Sequence, residues 1–403
     1  RCQTGTALVQ CERSRENKMI VGVPTEPLAG EKRVAQTPET TKQLVDLGLE
    51  VHVQKGAGVA AGYPDKDYED AGAKIVATLD VAKVHVLTHV RPLSTTVVNK
   101  LKAGTMTVGL ASPASEGPTV KALAKKKVTS FALELVPRIS RAQSMDALTS
   151  QALVAGYRCV LEGAMRFPRF LPLYMTAAGT IPPANVLVLG AGVAGLQAIA
   201  TAKRLGAKVQ AYDVRSASAD EVRSMGGQFI ELDLDAQADG QGGYAKELSS
   251  DRQARQQELL TPYVTAADII ITTAAIPGRP APRLITKKMM ADMKPGSVVI
   301  DLAAETGGNV EGSVAGKDTS VKVQGGKGTI TLVGMKDVPS TMPSDASKLY
   351  AKNIANLLAL MTVEGAVQPD FDDEVVAGAC LTRDGEITHE PTREALASTK
   401  KGS

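Results

Sequence analysis

The stretch RISRAQSMDALTSQ, Arg138 to Gln151, gathers two arginines, two glutamines, an aspartate and four hydroxyl side chains into one connection. Such a set of donors and acceptors suits the orientation of a planar polar group. Arg138 can reach a phosphate or a carboxamide, Gln143 offers both a donor and an acceptor, and Asp146 can accept from an amide or a ribose hydroxyl. The plainer reading is that Ser144 and Asp146 only cap a helix beginning near Met145. Capping accounts for one residue of the set, and not for Arg138, Arg141 and Gln143 together.

A second chemical signal is Gly190-Ala191-Gly192-Val193-Ala194-Gly195, which fits G-x-G-x-x-G. Alone the match is weak, but its context is the required one. It follows the apolar run Val186 to Leu189 and opens the helical pattern VAGLQAIATAKRLG. Asp213 then ends the next strand, KVQAYD, eighteen positions beyond Gly195. Gly190 permits the tight turn, Gly192 lets the backbone approach a pyrophosphate, and Gly195 lets helix and strand pack closely. A carboxylate at Asp213 accepts from a ribose diol and repels a 2′-phosphate, which favours NAD over NADP. Arg215 is the counter-signal, outweighed by that repulsion. A structural βαβ turn without nucleotide is the alternative; NAD(H) binding is the expectation. Hydride transfer needs its nicotinamide held close, dry and correctly turned, and the polar connection at the mouth of a cleft can do that.

The elements that must position these residues alternate. MIVGV, LEVHVQ, VHVLTHV, TMTVGLA and VTSFALELV read as strands, as do NVLVLG, KVQAYDV, QFIELD, DIIITTA, SVVIDLA and GTITLVG in a second series. Helical patterns lie between them. TPETTKQLVDLG carries Thr37 as N-cap, Pro38 at the first position, Glu39 near the positive dipole end and Gly48 as terminator. Met145 to Phe167 reads as one long helix. Ser344 to Met361 reads as a last helix with no strand after it, returning to pack on the first domain. The pattern predicts an α/β protein of two doubly wound Rossmann-like domains, with mostly parallel sheets and an interdomain cleft. Residues 18–140 with 337–366 form the first, and 141–336 the NAD(H)-binding one.

At 403 residues the chain is too long for one ordinary core. With 3% aromatic residues, no Trp and a net charge of +3, it lacks the stacking platforms and basic footprint of a nucleic-acid binder. Cys2, Cys11, Cys159 and Cys380 show no CxxC pairing, so free thiols are expected. The most apolar stretch, Val186 to Ala202, is broken by three glycines and is no membrane span. Residues 1–17 carry no hydrophobic period and are expected to be disordered. The acidic, then polar, residues 367–403 read as a linker toward a missing domain.

VPRISRAQSMDALTSQ, VLVLGAGVAGLQAIATAKRLGAKVQAYDVR, TTAAIPGRPAP, VVIDLAAETGGN, FDDEVV and TRDGEIT together resemble the NAD(H)-binding domain of the proton-translocating NAD(P) transhydrogenases, from about Met19 to Thr388. The resemblance places that family's nicotinamide-orienting residues on Arg138, Gln143 and Asp146, with Thr149 where the family carries a serine. It implies further cofactor contacts at Ser140, Ser144, Met145, Ala191, Val193, Val214, Arg215, Gly243, Tyr244, Thr273, Ala274 and Ala275, and a mobile loop, GQGGYAKEL, with Tyr244 as its lid residue. It further implies hydride exchange with NADP(H) on a separate partner domain, coupled to proton movement through a membrane domain facing the mitochondrial matrix or bacterial cytoplasm, and a homodimer. No metal is implied.

Two rival readings remain. EKRVAQTP also resembles the alanine dehydrogenases, where Arg33 would bind a substrate carboxylate, but VHVLTHVRP offers His85 and His89 without the lysine that imine chemistry needs. A non-catalytic NAD(H)-binding module is the other.

Overall fold

The computed structural model describes residues 18–233, 250–276, 279–326 and 328–398. The chain divides into two compact units, one holding the residues up to Gln151 and from Met342 onward, the other Ala152–Thr341. Both are doubly wound, mostly parallel α/β structures.

The first unit is built on an eight-stranded sheet. Its spatial order is Glu386–Ile387, Cys380–Arg383, Thr129–Ala132, Met106–Gly109, Val86–Thr88, Ile20–Val23, Glu50–Gln54 and Lys74–Val76. The six strands from Thr129–Ala132 onward pair in parallel. The helix Pro38–Asp46 starts as its sequence demands: Thr37 and Thr40 form a reciprocal capping box, proline sits in the first turn, and Gly48 beyond the end takes φ +92°.

The second unit carries a seven-stranded sheet. It runs Gln228–Phe229, Lys208–Tyr212, Asn185–Leu189, Ile269–Thr272, Val298–Asp301, Thr329–Gly334 and Lys317–Lys322, the last antiparallel to its neighbour. Alternate residues of the central strands enter opposite cores. Val186, Val188, Ile269 and Ile271 face one, while Leu187, Leu189, Ile270 and Val299 face the other. Both faces are therefore covered, which is why these strands read as continuous apolar runs. Asn185–Leu189 lies between Lys208–Tyr212 and Ile269–Thr272, strands reached in opposite directions, and its carboxyl end is where wound sheets bind ligands.

Three expectations are corrected. The polar connection up to Gln151 belongs to the first unit, because Ala142, Met145 and Ala147 are buried in its core. Residues 337–341 stay in the second unit, where Val338 is buried. The segment expected as a linker instead forms the helices Glu374–Ala379 and Glu390–Ser398 and the strands Cys380–Arg383 and Glu386–Ile387, so strands do follow the helix Pro343–Leu360. Cys380–Arg383 pairs antiparallel with Thr129–Ala132, and the Thr382 hydroxyl donates to the Val128 carbonyl at 2.8 Å. Val375 and Leu381 are fully buried. Apolar residues too few to give a period still find a sheet edge to cover.

Leu381→Ala should therefore destabilise the protein by about 2–5 kcal/mol in denaturant unfolding, as expected for a buried leucine. A linker residue would give a change near zero.

Candidate functional site

In the second unit the strand Asn185–Leu189 runs into a turn at Gly190, φ +100°, and the helix Val193–Arg204 starts from Gly192 without a side-chain cap. The three glycines of the motif have separate reasons. A Cβ at Gly195 would overlap the Gly190 carbonyl oxygen, and one at Gly190 would lie 2.8 Å from Thr273 Oγ1. A Cβ at Gly192 would meet nothing within 4 Å. The fold itself demands the outer two; the space over Gly192 is open to a ligand. The first helical N–H groups have no intrahelical acceptor and carry the positive end of the dipole, so that space suits a pyrophosphate.

The neighbours converge on this turn. The Thr273 hydroxyl donates to the Gly190 carbonyl at 3.0 Å, which brings Thr273 and Ala274 beside it. The Ala191 N–H donates to Asp213 Oδ2 at 2.7 Å. Arg215 grips the same carboxylate with its Nε to Oδ1 at 2.9 Å and a second nitrogen to Oδ2 at 3.0 Å. The cation expected to compete with Asp213 instead neutralises it. Val214 packs against the second core, and Ala275 lies in the loop after Ile269–Thr272. Gly243 and Tyr244 fall outside the described residues.

Two residues without an assigned role in the sequence also shape the turn. A Cβ at Gly156, on the helix Ala147–Arg166, would overlap the Ala194 carbonyl oxygen, so that helix packs directly on the first turn of Val193–Arg204. Asn309 is fully buried and donates from its amide to the carbonyls of Ala274 and Pro282, both at 2.8 Å, closing the base of the loop between them. In the sequence Asn309 is marked only as the last residue of VVIDLAAETGGN, after two glycines, with no role of its own.

In the first unit the polar connection is a 3₁₀ helix, Ser140–Met145, entered from Ile139. Three residues per turn put Ile139, Ala142 and Met145 on one face, and Ala142 and Met145 are buried in the first core. The other faces then point outward. Ser140 and Gln143 share one; Arg141 and Ser144 share the other. Arg138, Ser140, Gln143 and Ser144 are exposed. Arg138 precedes this helix across the extended Ile139, and Asp146 follows it as its extended cap.

Asp146 does cap the long helix, accepting from the Thr149 N–H at 2.9 Å, while its other oxygen accepts from the Thr149 hydroxyl at 2.6 Å. Arg141 forms a two-pronged pair with Asp373, at 2.8 and 2.9 Å, ahead of the helix Glu374–Ala379. Hydrogen bonding to Arg141 holds the Asp373 carboxyl down at about 2. Met145, expected among the cofactor contacts, has its side chain in the core.

The residues that would serve an amino-acid substrate are differently placed. Arg33 is 4% exposed and is bound by Glu31 through its Nε at 2.8 Å and a terminal nitrogen at 2.7 Å, with Gln151 taking the other at 2.8 Å. Glu26 accepts from the N–H groups of Val90 and Arg91, and burial raises its carboxyl to about 7. His85 accepts from the Ile20 N–H, whereas His89 donates to the Arg91 carbonyl and is pushed down to about 4 by burial. Among the described residues, no group of three or more His, Cys, Asp or Glu could hold a metal ion.

Residues 22–155 match the family model for the N-terminal domain of alanine dehydrogenase/PNT, and residues 159–390 that for its C-terminal domain. The chain is 48% identical over 382 residues to an NAD(P) transhydrogenase subunit alpha polypeptide of Rhodospirillum rubrum, covering 92% of this chain and 98% of that one. With the alanine dehydrogenase of Bacillus subtilis it shares 30% identity over 394 residues, 94% of this chain and 95% of that one. Among solved structures, the transhydrogenase of Sinorhizobium meliloti superposes with a TM-score of 0.79 at 42% identity, covering 92% of this chain and 99% of that one.

The second and third glycines of the motif differ in what substitution does to the protein alone. Gly195→Ala should cost about 1–3 kcal/mol or more of stability, because two backbones must move apart. Gly192→Ala should stay within about 0.5 kcal/mol of the parent. Denaturant unfolding of both variants checks this; equal losses would refute it.

Proposed function

Because the chain belongs to the alanine dehydrogenase/PNT family, we propose that it is the NAD(H)-binding component of a proton-translocating NAD(P) transhydrogenase. The observation that carries this reading is the polar connection, whose buried Ala142 and Met145 anchor a short 3₁₀ turn that leaves Gln143 exposed, with exposed Arg138 just before it and half-buried Asp146 just after it. The glycine turn and Asp213 hold the pyrophosphate and adenosine ribose, and Arg138, Gln143 and Asp146 orient the nicotinamide, supported by Ser140 and Ser144. Thr149 fixes the Asp146 carboxylate. When bound, the dinucleotide supplies the hydride: one hydrogen and two electrons leave C4 of NADH and arrive at C4 of NADP⁺ on a partner domain, giving NAD⁺ and NADPH. The protein moves no proton in that step; its residues set distance and angle and exclude water.

Arg215 is drawn in by Asp213 and is poorly placed to welcome a 2′-phosphate, so NAD(H) is the preferred ligand. A membrane proton channel is the further partner, with this component on the mitochondrial matrix or bacterial cytoplasmic side. No described helix is long and apolar enough to cross a membrane itself. An amino-acid dehydrogenase would need Arg33 for a substrate carboxylate, and Glu31 and Gln151 already engage it.

A homodimer completes the reading. Tyr157 and Met165 on the long helix, and Phe170, Tyr174 and Met175 at the hairpin after it, are exposed apolar side chains of the kind that a second copy covers. Sedimentation at micromolar concentration should show a dimer; a monomer would remove this component of the proposal.

The central test is Gln143→Asn, which keeps the amide and shortens its reach by one methylene. Hydride transfer to NADP⁺ on the partner domain should slow roughly tenfold to a hundredfold. NADH affinity should change by less than about 1 kcal/mol, and the parent should bind NADH well and NADPH poorly in fluorescence titration. Comparable affinities for the two, or an unchanged transfer rate, would overturn the assignment.

A further inference from the structure

The helix Pro343–Leu360 carries apolar residues on its buried face, with Tyr350, Ile354, Leu357 and Leu358 fully buried in the first core. Asn353 lies among them at 6% exposure, and a buried amide must find partners for both its ends. It finds them on the polar connection. Its Nδ2 donates to the Ser144 carbonyl at 2.9 Å, and its Oδ1 accepts from the Ser150 hydroxyl at 2.7 Å. Asn356, one turn on, donates to the same Ser144 carbonyl at 3.1 Å.

These bonds end a longer chain with one sense. Arg33 donates to Gln151 Oε1 at 2.8 Å, Gln151 Nε2 donates to the Ser150 hydroxyl at 3.1 Å, and Ser150 donates to Asn353. Arginine can only donate and a carbonyl can only accept, so both intervening amides have one permitted orientation. Gln151 Nε2 also reaches the Ala346 carbonyl at 3.1 Å, a second tie to the same helix. Ser144 sits between Gln143 and Met145, so its carbonyl fixes the backbone of the turn that presents Gln143 and Asp146.

We propose that Asn353 is a positioning residue for hydride transfer, acting through the Ser144 carbonyl to hold the 3₁₀ turn in its productive geometry. This rests on the transhydrogenase reading. Asn353 touches neither cofactor; it sets the frame from which Gln143 and Asp146 reach.

The experiment has two arms. Asn353→Leu removes both hydrogen-bonding ends while keeping the number and branching of side-chain heavy atoms, and Asn356→Ala loosens the same carbonyl without disturbing the core. In the unliganded protein, amide hydrogen exchange over residues 140–146 should quicken about tenfold for Asn353→Leu and about threefold for Asn356→Ala, with the sheet strands unchanged. With the NADP-binding partner present, single-turnover hydride transfer should fall about tenfold or more for Asn353→Leu, and less for Asn356→Ala. The NADH dissociation constant should move less than about threefold. Unchanged exchange in both variants would overturn the brace. Faster exchange with an unchanged transfer rate would overturn the positioning role, as would affinity falling in step with rate. Absence of transfer in the parent would defeat the transhydrogenase reading and the positioning role with it, leaving the exchange result to judge the brace alone. If Asn353→Leu does not fold, Asn356→Ala decides both arms.

Discussion

Three backbones touch around the glycine turn because none of them carries a side chain there. Gly195 lets its helix sit on the carbonyl of Gly190, and Gly156 lets the long helix sit on the carbonyl of Ala194. Thr273 then closes the arrangement by donating to that same Gly190 carbonyl. The open space at Gly192 exists because everything around it is pinned. An alanine at Gly195 or Gly156 would separate the packed elements by a methyl's width and tilt the helix whose N-terminus faces that space. The ligand chemistry is thus secured by contacts between backbones, not by the residues that would touch a ligand.

The first unit follows a different logic. Its buried polar groups include Glu31, Arg33, Gln151 and Asn353, which leave water only because each finds a matching donor or acceptor. Such a network contributes little net stability beyond what an apolar core would give, but a single wrong orientation leaves a buried group unpaired at a cost of about 1–3 kcal/mol. That asymmetry specifies geometry, and it specifies it next to the polar connection.

Much of this is legible in the sequence. The capping residues Thr37 and Pro38, the apolar strands buried on both faces, and the glycine turn with its following strand all declare themselves through local pattern. The misses share a cause. Lys74–Val76 and Lys317–Lys322 are edge strands with exposed or half-exposed side chains, so pairing defines them and no apolar period marks them. Cys380–Arg383 is buried by the sheet edge it joins, and with the short apolar run Val375–Ala379 ahead of it makes a patch too brief to show a period between acidic and polar flanks. The unit boundary is hard to place because R-x-x-R and Q-x-x-D look like a string of donors and acceptors; the stripe Ile139, Ala142, Met145 that ties them to the first core has a period of three, which neither helix nor strand templates detect. Asn353 is hidden by being polar on an apolar face, a signal visible only once that face is known to be buried.

The period of three has a consequence for how this segment can vary. Each outward residue of Ser140–Met145 is fixed relative to the buried stripe by position in a repeat of three. Exchanging one outward side chain changes one donor or acceptor and leaves the others in place. Inserting or deleting a single residue rotates everything beyond it by a third of a turn, carrying a core residue outward and an outward residue into the core. The connection therefore behaves like text with a reading frame: tolerant of misspelling at single letters, and unreadable after a shift of one.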